Sequence, residues 1–312
     1  MNKIWESPNL ISVIILIVVV AVGAGYVAFT VNSRPETESF TVDDDYFFPY
    51  NFDRLDRVVK LPDELKEISG LTRGFGPDEV LAVQDEDGEI FRVNTRSGEL
   101  LSSLKFDKDR DYEGITRNGN TVYILETDGD IHRFTYSDTA TQVSSVKLET
   151  DFSYRNDTEG ICYDSITGTL LITPKEQELN PVGQGDQRRG VYTFDLGTET
   201  LNPQPTYYVD ALEVGQIVYG TNREYTIKPS GIAVDPLSGN IFLLSSVGNI
   251  LIVIDRDSEV KHVELLEKGT FSQPEGIAFG DNGDLHVSSE GRSGRGIIAT
   301  LTREGQPSTS DE

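Results

Sequence analysis

Five times in this 312-residue chain a short apolar run opens with a glycine, and the interval between copies is nearly constant. The copies read EISGLT at Gly70, YEGIT at Gly114, TEGICYD at Gly160, PSGIAVD at Gly231 and PEGIAFG at Gly276, with spacings of 44, 46, 71 and 45 residues. A period of about 40–50 residues is that of a four-stranded propeller blade, and one interval then carries roughly 25 extra residues. After each glycine come an apolar strand, a turn, and a second strand: VLAVQD, TVYILE, TLLITP, NIFLLS or DLHVSS. A third strand follows as EIFRVN, DIHRFTY, GVYTFDL, ILIVID or GIIATL. Short apolar or alternating runs bounded by Gly, Asn and Asp read as antiparallel strands.

A fourth strand precedes each later motif (ELLSSLKF, VSSVKLE, PTYYVD, EVKHVELL), but after GIIATLTRE nothing remains to complete the last blade. RVVKL, at residues 57–61, stands before the first motif and can supply that strand, joining the ends of the ring and leaving no open sheet edge. The expected fold is therefore all-β: a five-bladed β-propeller over residues 54–304, closed by an N-terminal strand. A sixth blade hidden in the 71-residue interval is the alternative, for which residues 207–227 offer few strands and no glycine motif.

Ahead of the repeats, Leu10 to Val31 runs 22 residues without a charge, enough for one transmembrane helix. Its length favours an uncleaved anchor over a signal peptide, whose apolar region is about 7–15 residues, and no cysteine follows it to carry a lipid. Lys3 before the span, against Glu36, Glu38 and Asp43–Asp45 after it, orients the acidic bulk out of the cytoplasm. The expected organisation is a short cytoplasmic N-terminus (1–9), a membrane anchor (10–31), an acidic linker (32–53), the propeller, and a disordered tail (305–312). With 52 acidic against 27 basic residues and a formal net charge of -25, the chain repels phosphate backbones, so nucleic acid is excluded as a partner and cations are favoured. The single cysteine, Cys162, cannot form an intramolecular disulfide and falls in an inner strand, where a small buried hydrophobe is expected rather than a nucleophile.

In a propeller the first strand of each blade lines the axis, so the residue before each glycine stands at one mouth of the central channel. The turn from second to third strand returns to the same face. The first position holds Ser69, Glu113, Glu159, Ser230 and Glu275, with Glu67 close by; the second holds Asp85–Glu86, Glu126, Lys175–Glu176, Ser245–Ser246 and Ser289–Glu290. Carboxylates crowded together raise one another's pKa and destabilise the fold unless a cation or solvent relieves them. A hard divalent ion on the axis is the direct solution, and Ca2+, with roughly six to eight oxygen ligands in flexible geometry, suits glutamates arriving from separate blades. The expected metal set is Glu113, Glu159, Glu275, Glu290, Asp85, Glu86 and Glu126, with Glu67, Lys175, Ser230, Ser246 and Arg188 as further ligand contacts. The competing reading, acids that only cap backbone amides or face solvent, weighs most on Glu126 beside its DG turn. Zinc is disfavoured because His132, His262 and His286 lack ligand spacing, and His286 aligns with Tyr123 and Phe242 as a packed interblade residue.

The ordered set EISG, QDEDG, DYEG, ETDG, EGICYD, TPKE, KPSGIAVDP, LSS, QPEGIAF and SSEG resembles the SdiA-regulated domain family, the YjiK-like bacterial propellers, over about residues 55–303. The resemblance implies a five-bladed propeller behind an N-terminal membrane segment, hence on the periplasmic side of the inner membrane, with bound calcium. It carries Asp85, Glu86, Glu113, Glu159, Glu275 and Glu290 over as the polar rim. Where the family commonly has a cysteine before the lysine of the third blade, this chain has Pro174 before Lys175.

Two functional classes follow. One is a calcium-stabilised module binding a small anionic ligand or a protein at the acidic face; the other is a metal-dependent hydrolase of lactonase, esterase or phosphoesterase type, with Lys175, Glu126 or Glu290 as acid or base. KEQELNPVGQGDQRRG, residues 175–190, is expected to overhang the mouth as a loop offering Arg188 and Arg189 to an anion.

Overall fold

The computed structural model describes residues 38–43, 45–181, 187–292 and 294–305. The expected N-terminus and anchor (1–31), the first part of the linker, the middle of the 175–190 loop and the tail beyond 305 lie outside the described residues. Among the described residues no helix is long and apolar enough to cross a membrane.

Strands too short to bury both faces alone stack here as five antiparallel sheets. Blade one comprises Ile68–Arg73, Glu79–Gln84, Glu89–Asn94 and Leu100–Lys105, and blade two Tyr112–Asn118, Thr121–Glu126, Ile131–Thr135 and Val146–Leu148. Blade three has Thr158–Asp164, Thr169–Pro174 and Arg188–Asp195, whose outer edge takes both Thr200–Leu201 and Tyr207–Asp210. Blade four is Lys228–Val234, Ile241–Val247, Ile250–Ile254 and Val260–Leu265. Blade five is Pro274–Phe279, Leu285–Ser289 and Ile297–Leu301, completed by Arg57–Lys60, with Arg57 opposite Thr300 and Lys60 opposite Ile297. The N-terminal closure expected from RVVKL is thus present.

The core lies between blades rather than within one sheet, because each strand alternates its side chains between two neighbours. Leu81, Val83, Ile90 and Leu104 of blade one meet Tyr112, Ile115, Val122 and Ile124 of blade two. Cys162 is buried in the corresponding layer between blades three and four, where burial raises its thiol pKa and keeps it inert, as expected. His286 is 6% exposed and bonds Thr300 Oγ1 through Nδ1 at 3.0 Å.

One expectation needs correction, and the alternative of a sixth blade is set aside. Residues 39–52 are no linker: Ser39–Thr41 pairs with Val260–Leu265 as a fifth strand of blade four, Phe48 stacks on His262 with centroids 3.7 Å apart, and the Tyr50 hydroxyl donates to Gly283 O at 2.7 Å. The run YFFPYNF carries enough apolar area to bury against the barrel wall, and Asp43 ahead of it pairs with Lys261 of blade four at 3.3 Å. The long interval holds not a blade but a helix, Ala211–Tyr219. Asp210 caps it by accepting from Leu212 N, Gly220 ends it at φ 64°, and Ala211, Val214 and Val218 form its buried stripe.

Candidate functional site at the acidic mouth of the channel

In every blade the pairing of first and second strands slips at the glycine motif: between Ile68 and Gly70, Tyr112 and Gly114, Thr158 and Gly160, Pro229 and Gly231, and Pro274 and Ile277. Each slip is a β-bulge that leaves Ser69, Glu113, Glu159, Ser230 or Glu275 out of the ladder, and a bulge re-aims the side chain it carries. The glycine that follows is demanded by the crowding of five strands around the axis. A Cβ would stand 3.0 Å from Glu113 O at Gly70, 2.9 Å from Glu159 O at Gly114, 2.5 Å from Glu275 O at Gly231, and 2.9 Å from Leu71 N at Gly276. Next in each strand comes Leu71, Ile115, Ile161, Ile232 or Ile277, none more than 4% exposed. These five side chains form a collar, with a void of only about 10 Å3 among the glycines and a larger cavity on the far side. The repeated tripeptide therefore supplies a mouth residue, a contact glycine and a plug.

The mouth is strongly acidic. Burial, then Glu159 and Asp111, pushes Glu113 well above the usual carboxylate range. Burial, then Glu159 and Glu290, does the same to Glu275, which is 4% exposed. Glu159, 5% exposed, is raised by burial even though Lys175 Nζ bonds its Oε1. Burial followed by Asp85 and Glu67 brings Glu290 up to about 7, and burial followed by Glu67 and Glu86 brings Asp85 up to about 6. Asp85 Oδ1 is buried without a hydrogen-bond partner. Burial opposes the charge on Lys175, but Glu159, Glu275 and Asp157 hold its proton. Among the described residues Lys175 is the cation ion-paired directly with this group.

The structure thus gathers Glu113, Glu159, Glu275, Glu290, Asp85 and Lys175, with Glu67 and Glu86 exposed at the edge. Ser230 is also at the mouth, but its hydroxyl is spent on Pro274 O at 2.8 Å, tying blade four to blade five. Ser246 is half-buried at the end of its strand and makes no hydrogen bond to the acids among the described residues. Arg188 and Arg189 correct the loop expectation: they begin the third strand of their blade, opposite Asp210 and Val209, and the Arg188 guanidinium lies 4.9 Å over the Tyr208 ring. Arg189 Nη1 donates to Glu176 O at 2.9 Å, so it ties the start of that strand to the turn before it.

Glu126 is drawn elsewhere. It is 2% exposed, and its Oε1 accepts from His132 Nε2 at 2.6 Å while Oε2 accepts from Lys147 Nζ at 3.0 Å. Burial would raise its pKa, but those bonds hold it at about 2. Oxygens of Glu126, Asp128 and Asp130 lie within 4.8 Å of one another and could hold a metal ion; Lys147, 2.7 Å from Asp130, already neutralises that spot.

Two ring members escaped the sequence reading. Asp111 and Asp157 stand two residues before Glu113 and Glu159, just ahead of the inner strands; the signal was D-x-E in DYEG and DTEG. Asp157 takes a left-handed φ of 53°, and its Oδ1 accepts from Thr127 Oγ1 at 2.9 Å.

Solved propellers share this architecture. Glutaminyl cyclase of Myxococcus xanthus superposes with a TM-score of 0.52 at 13% identity, over 81% of this chain and 97% of that one. The PQQ-bound aldose sugar dehydrogenase of Streptomyces coelicolor does so with a TM-score of 0.52 at 13% identity, over 87% and 100%. At such identity the likeness shows the fold alone. No curated protein matches in sequence. The sequence pattern of the SdiA-regulated family matches residues 54–292, from the closing strand through the last mouth glutamate, and the chain belongs to that family.

Proposed function

We propose that the acidic mouth binds a hard divalent cation, Ca2+, and that the propeller is a membrane-anchored, extracytoplasmic binding module whose ligand or protein partner docks on that face. The observation that carries this reading is the convergence of Glu113, Glu159, Glu275, Glu290 and Asp85 with, among the described residues, Lys175 as their one ion-paired cation. The orphaned Asp85 Oδ1 and the crowding of Glu113 against Glu159, Asp111 and Glu275 both call for a bound positive charge. Every donor there is oxygen, as calcium prefers, and the three histidines bond elsewhere, to Glu126, Glu264 and Thr300. Glu113, Glu159, Glu275 and Glu290 would hold the ion. The anchor rests on the uncharged stretch 10–31.

Calorimetric titration of calcium and melting in calcium against chelator test the site. Binding heat and a raised Tm, both weakened at least tenfold in affinity by Glu113→Gln and by Glu275→Gln, are expected; identical melting with no heat would remove the cation from the reading. Membrane fractionation with protease protection tests the anchor and its orientation.

One observation favours the hydrolase as a second reading. Glu290, with a pKa brought up to about 7, is suited to act as a general base toward water beside a metal. Calcium-dependent turnover in a screen of lactones, aryl esters and phosphate esters, lost in Glu290→Gln, would select it over the binding module.

A further inference from the structure

The opposite mouth of the channel is made by the other ends of the same five strands, and its character is reversed. Beyond the aliphatic collar lies a cavity of about 200 Å3, lined on one side by Thr72, Arg73, Thr116 and Arg117 and on the other by Ser165 and Pro236, with Asp281 also in its wall. Arg117 is clamped by backbone carbonyls: Nε donates to Arg73 O at 2.6 Å, Nη1 to Gly119 O at 2.9 Å, and Nη2 to Gly74 O, while the guanidinium lies 4.5 Å over the Phe75 ring. Three of the five guanidinium N–H groups are used and two remain. Among the described residues no carboxylate pairs with Arg117, although the chain carries a formal net charge of -25. Burial, then Arg73, lowers its pKa to about 10, the mark of a cation short of counter-charge.

The rest of the wall is equally specific. Arg73 pairs with Asp281, but the two side chains are 45% and 66% exposed, so that pair is easily exchanged. Thr116 is 4% exposed, and its Oγ1 accepts from Tyr163 N at 2.8 Å, which leaves the hydroxyl proton to donate. Across the mouth the turns of blades three and four present Ile166 and Leu237, each 64% exposed. Ile166 packs over the neighbouring turn, with Cδ1 2.8 Å from where a Gly239 Cβ would stand, and Leu237 packs in the same way toward Gly283. A half-buried guanidinium with no paired carboxylate among the described residues and aliphatic side chains exposed beside a cavity are each unfavourable, and a single amphiphile relieves both.

We propose that this far mouth binds a small aliphatic carboxylate, its head on Arg117, Arg73 and Thr116 and its tail along Pro236, Ile166 and Leu237. Guanidinium N–H groups in a fixed fork match a planar carboxylate. The cavity volume admits the head and first carbons, and the tail lies on the rim. The collar of Leu71, Ile115, Ile161, Ile232 and Ile277 separates this site from the acidic mouth, so the two bind independently.

The full-length chain is titrated by calorimetry with octanoate, acetate, inorganic phosphate and octylamine. Octanoate is expected to bind, acetate and phosphate at least tenfold more weakly, and octylamine not at all. Arg117→Gln is expected to weaken octanoate at least tenfold. Because Arg117 also ties two blades, the double variant Ile166→Ser, Leu237→Ser, altered only at exposed side chains, serves as the second arm: a loss of at least tenfold in octanoate affinity at unchanged Tm supports the site. Glu113→Gln should leave octanoate binding unaltered, which separates this proposal from the cation reading. Absence of octanoate heat, equal binding of octylamine, acetate or phosphate, or unchanged octanoate affinity in the double variant would overturn it.

Discussion

A Cβ placed on Gly114 would stand 2.9 Å from the carbonyl oxygen of Glu159, one blade away. The missing side chain of one blade thus fixes the backbone that carries the mouth glutamate of the next. Gly70 bears in the same way on Glu113 O and Gly231 on Glu275 O, so the ring of acids is positioned by its own glycines.

That relationship predicts the cost of filling it. Gly231→Ala puts a methyl 2.5 Å from Glu275 O and should destabilise the domain by about 1–3 kcal/mol, with weakened calcium binding because Glu275 is displaced. Gly197→Ala, whose Cβ meets only Asp195 Oδ1 at 3.4 Å, should stay within about 0.5 kcal/mol in the same urea titration.

Lys175 occupies the Glu159 carboxylate that the proposed metal ion would take. Lys175→Met should lower the Tm in chelator, since Glu159 loses its partner, and should tighten calcium binding at least threefold, since a positive charge leaves the site. Calorimetry and melting on the same variant report the two opposite effects.

Acidity at the mouth sets the pH dependence of the metal-free protein. Asp85 and Glu290 have folded-state pKa values raised to about 6 and about 7, above their ordinary 3.8 and 4.5. Their contribution to stability is complete below the ordinary values and is lost as pH rises through 6 and 7, because the unfolded chain then binds fewer protons. His286 acts the other way: burial lowers it from 6.5 to about 4, so its contribution is present above 6.5 and lost as pH falls toward 4. With several acids against one imidazole, unfolding in chelator should show stability falling from pH 5 to pH 8, a fall that Glu290→Gln makes shallower. Saturating calcium should abolish it.

Glu126 offers a contrast with the ring acids. Removing it strands His132 and Lys147 around a buried site, and Glu126→Ala should cost about 3–5 kcal/mol. The loss should be equal in calcium and in chelator; a calcium-dependent difference would place a metal at Glu126, Asp128 and Asp130.

The segment ahead of the closing strand is part of the folded unit. Tyr50→Phe removes the bond to Gly283 O and should cost about 1 kcal/mol, and Tyr50→Ala, which empties a site only 4% exposed, about 3–5 kcal/mol. Chemical denaturation of the full chain measures both.

Much of this was legible beforehand because a propeller writes its geometry into a period. The five glycine motifs and RVVKL gave the blade number and closure, and the pre-glycine position gave Glu113, Glu159 and Glu275. Asp111 and Asp157 were missed although the D-x-E spacing marks them, because they lie before the strands on which the reading was aligned. The helix Ala211–Tyr219 was missed because a single short stripe, capped by Asp210 and Gly220, is faint beside so many strands. Residues 39–52 were read as linker because DDD masked the aromatic run behind it.

What the amino-acid order determined alone is whatever repeats or alternates: strand, turn, contact glycine, plug and the residue at the channel mouth, since each is set by local period and sterics. Partnership between distant side chains was decided only by the tertiary structure. Glu126 and Glu290 end equivalent strands, yet one turns to His132 and Lys147 inside its blade and the other joins the ring. Arg188 was pulled from the loop to Tyr208 by a strand that pairs across its blade, and Arg117 was left beside a cavity whose one acid, Asp281, pairs with Arg73 instead. Charge pairing depends on distances between blades, and those exist only once the ring has closed.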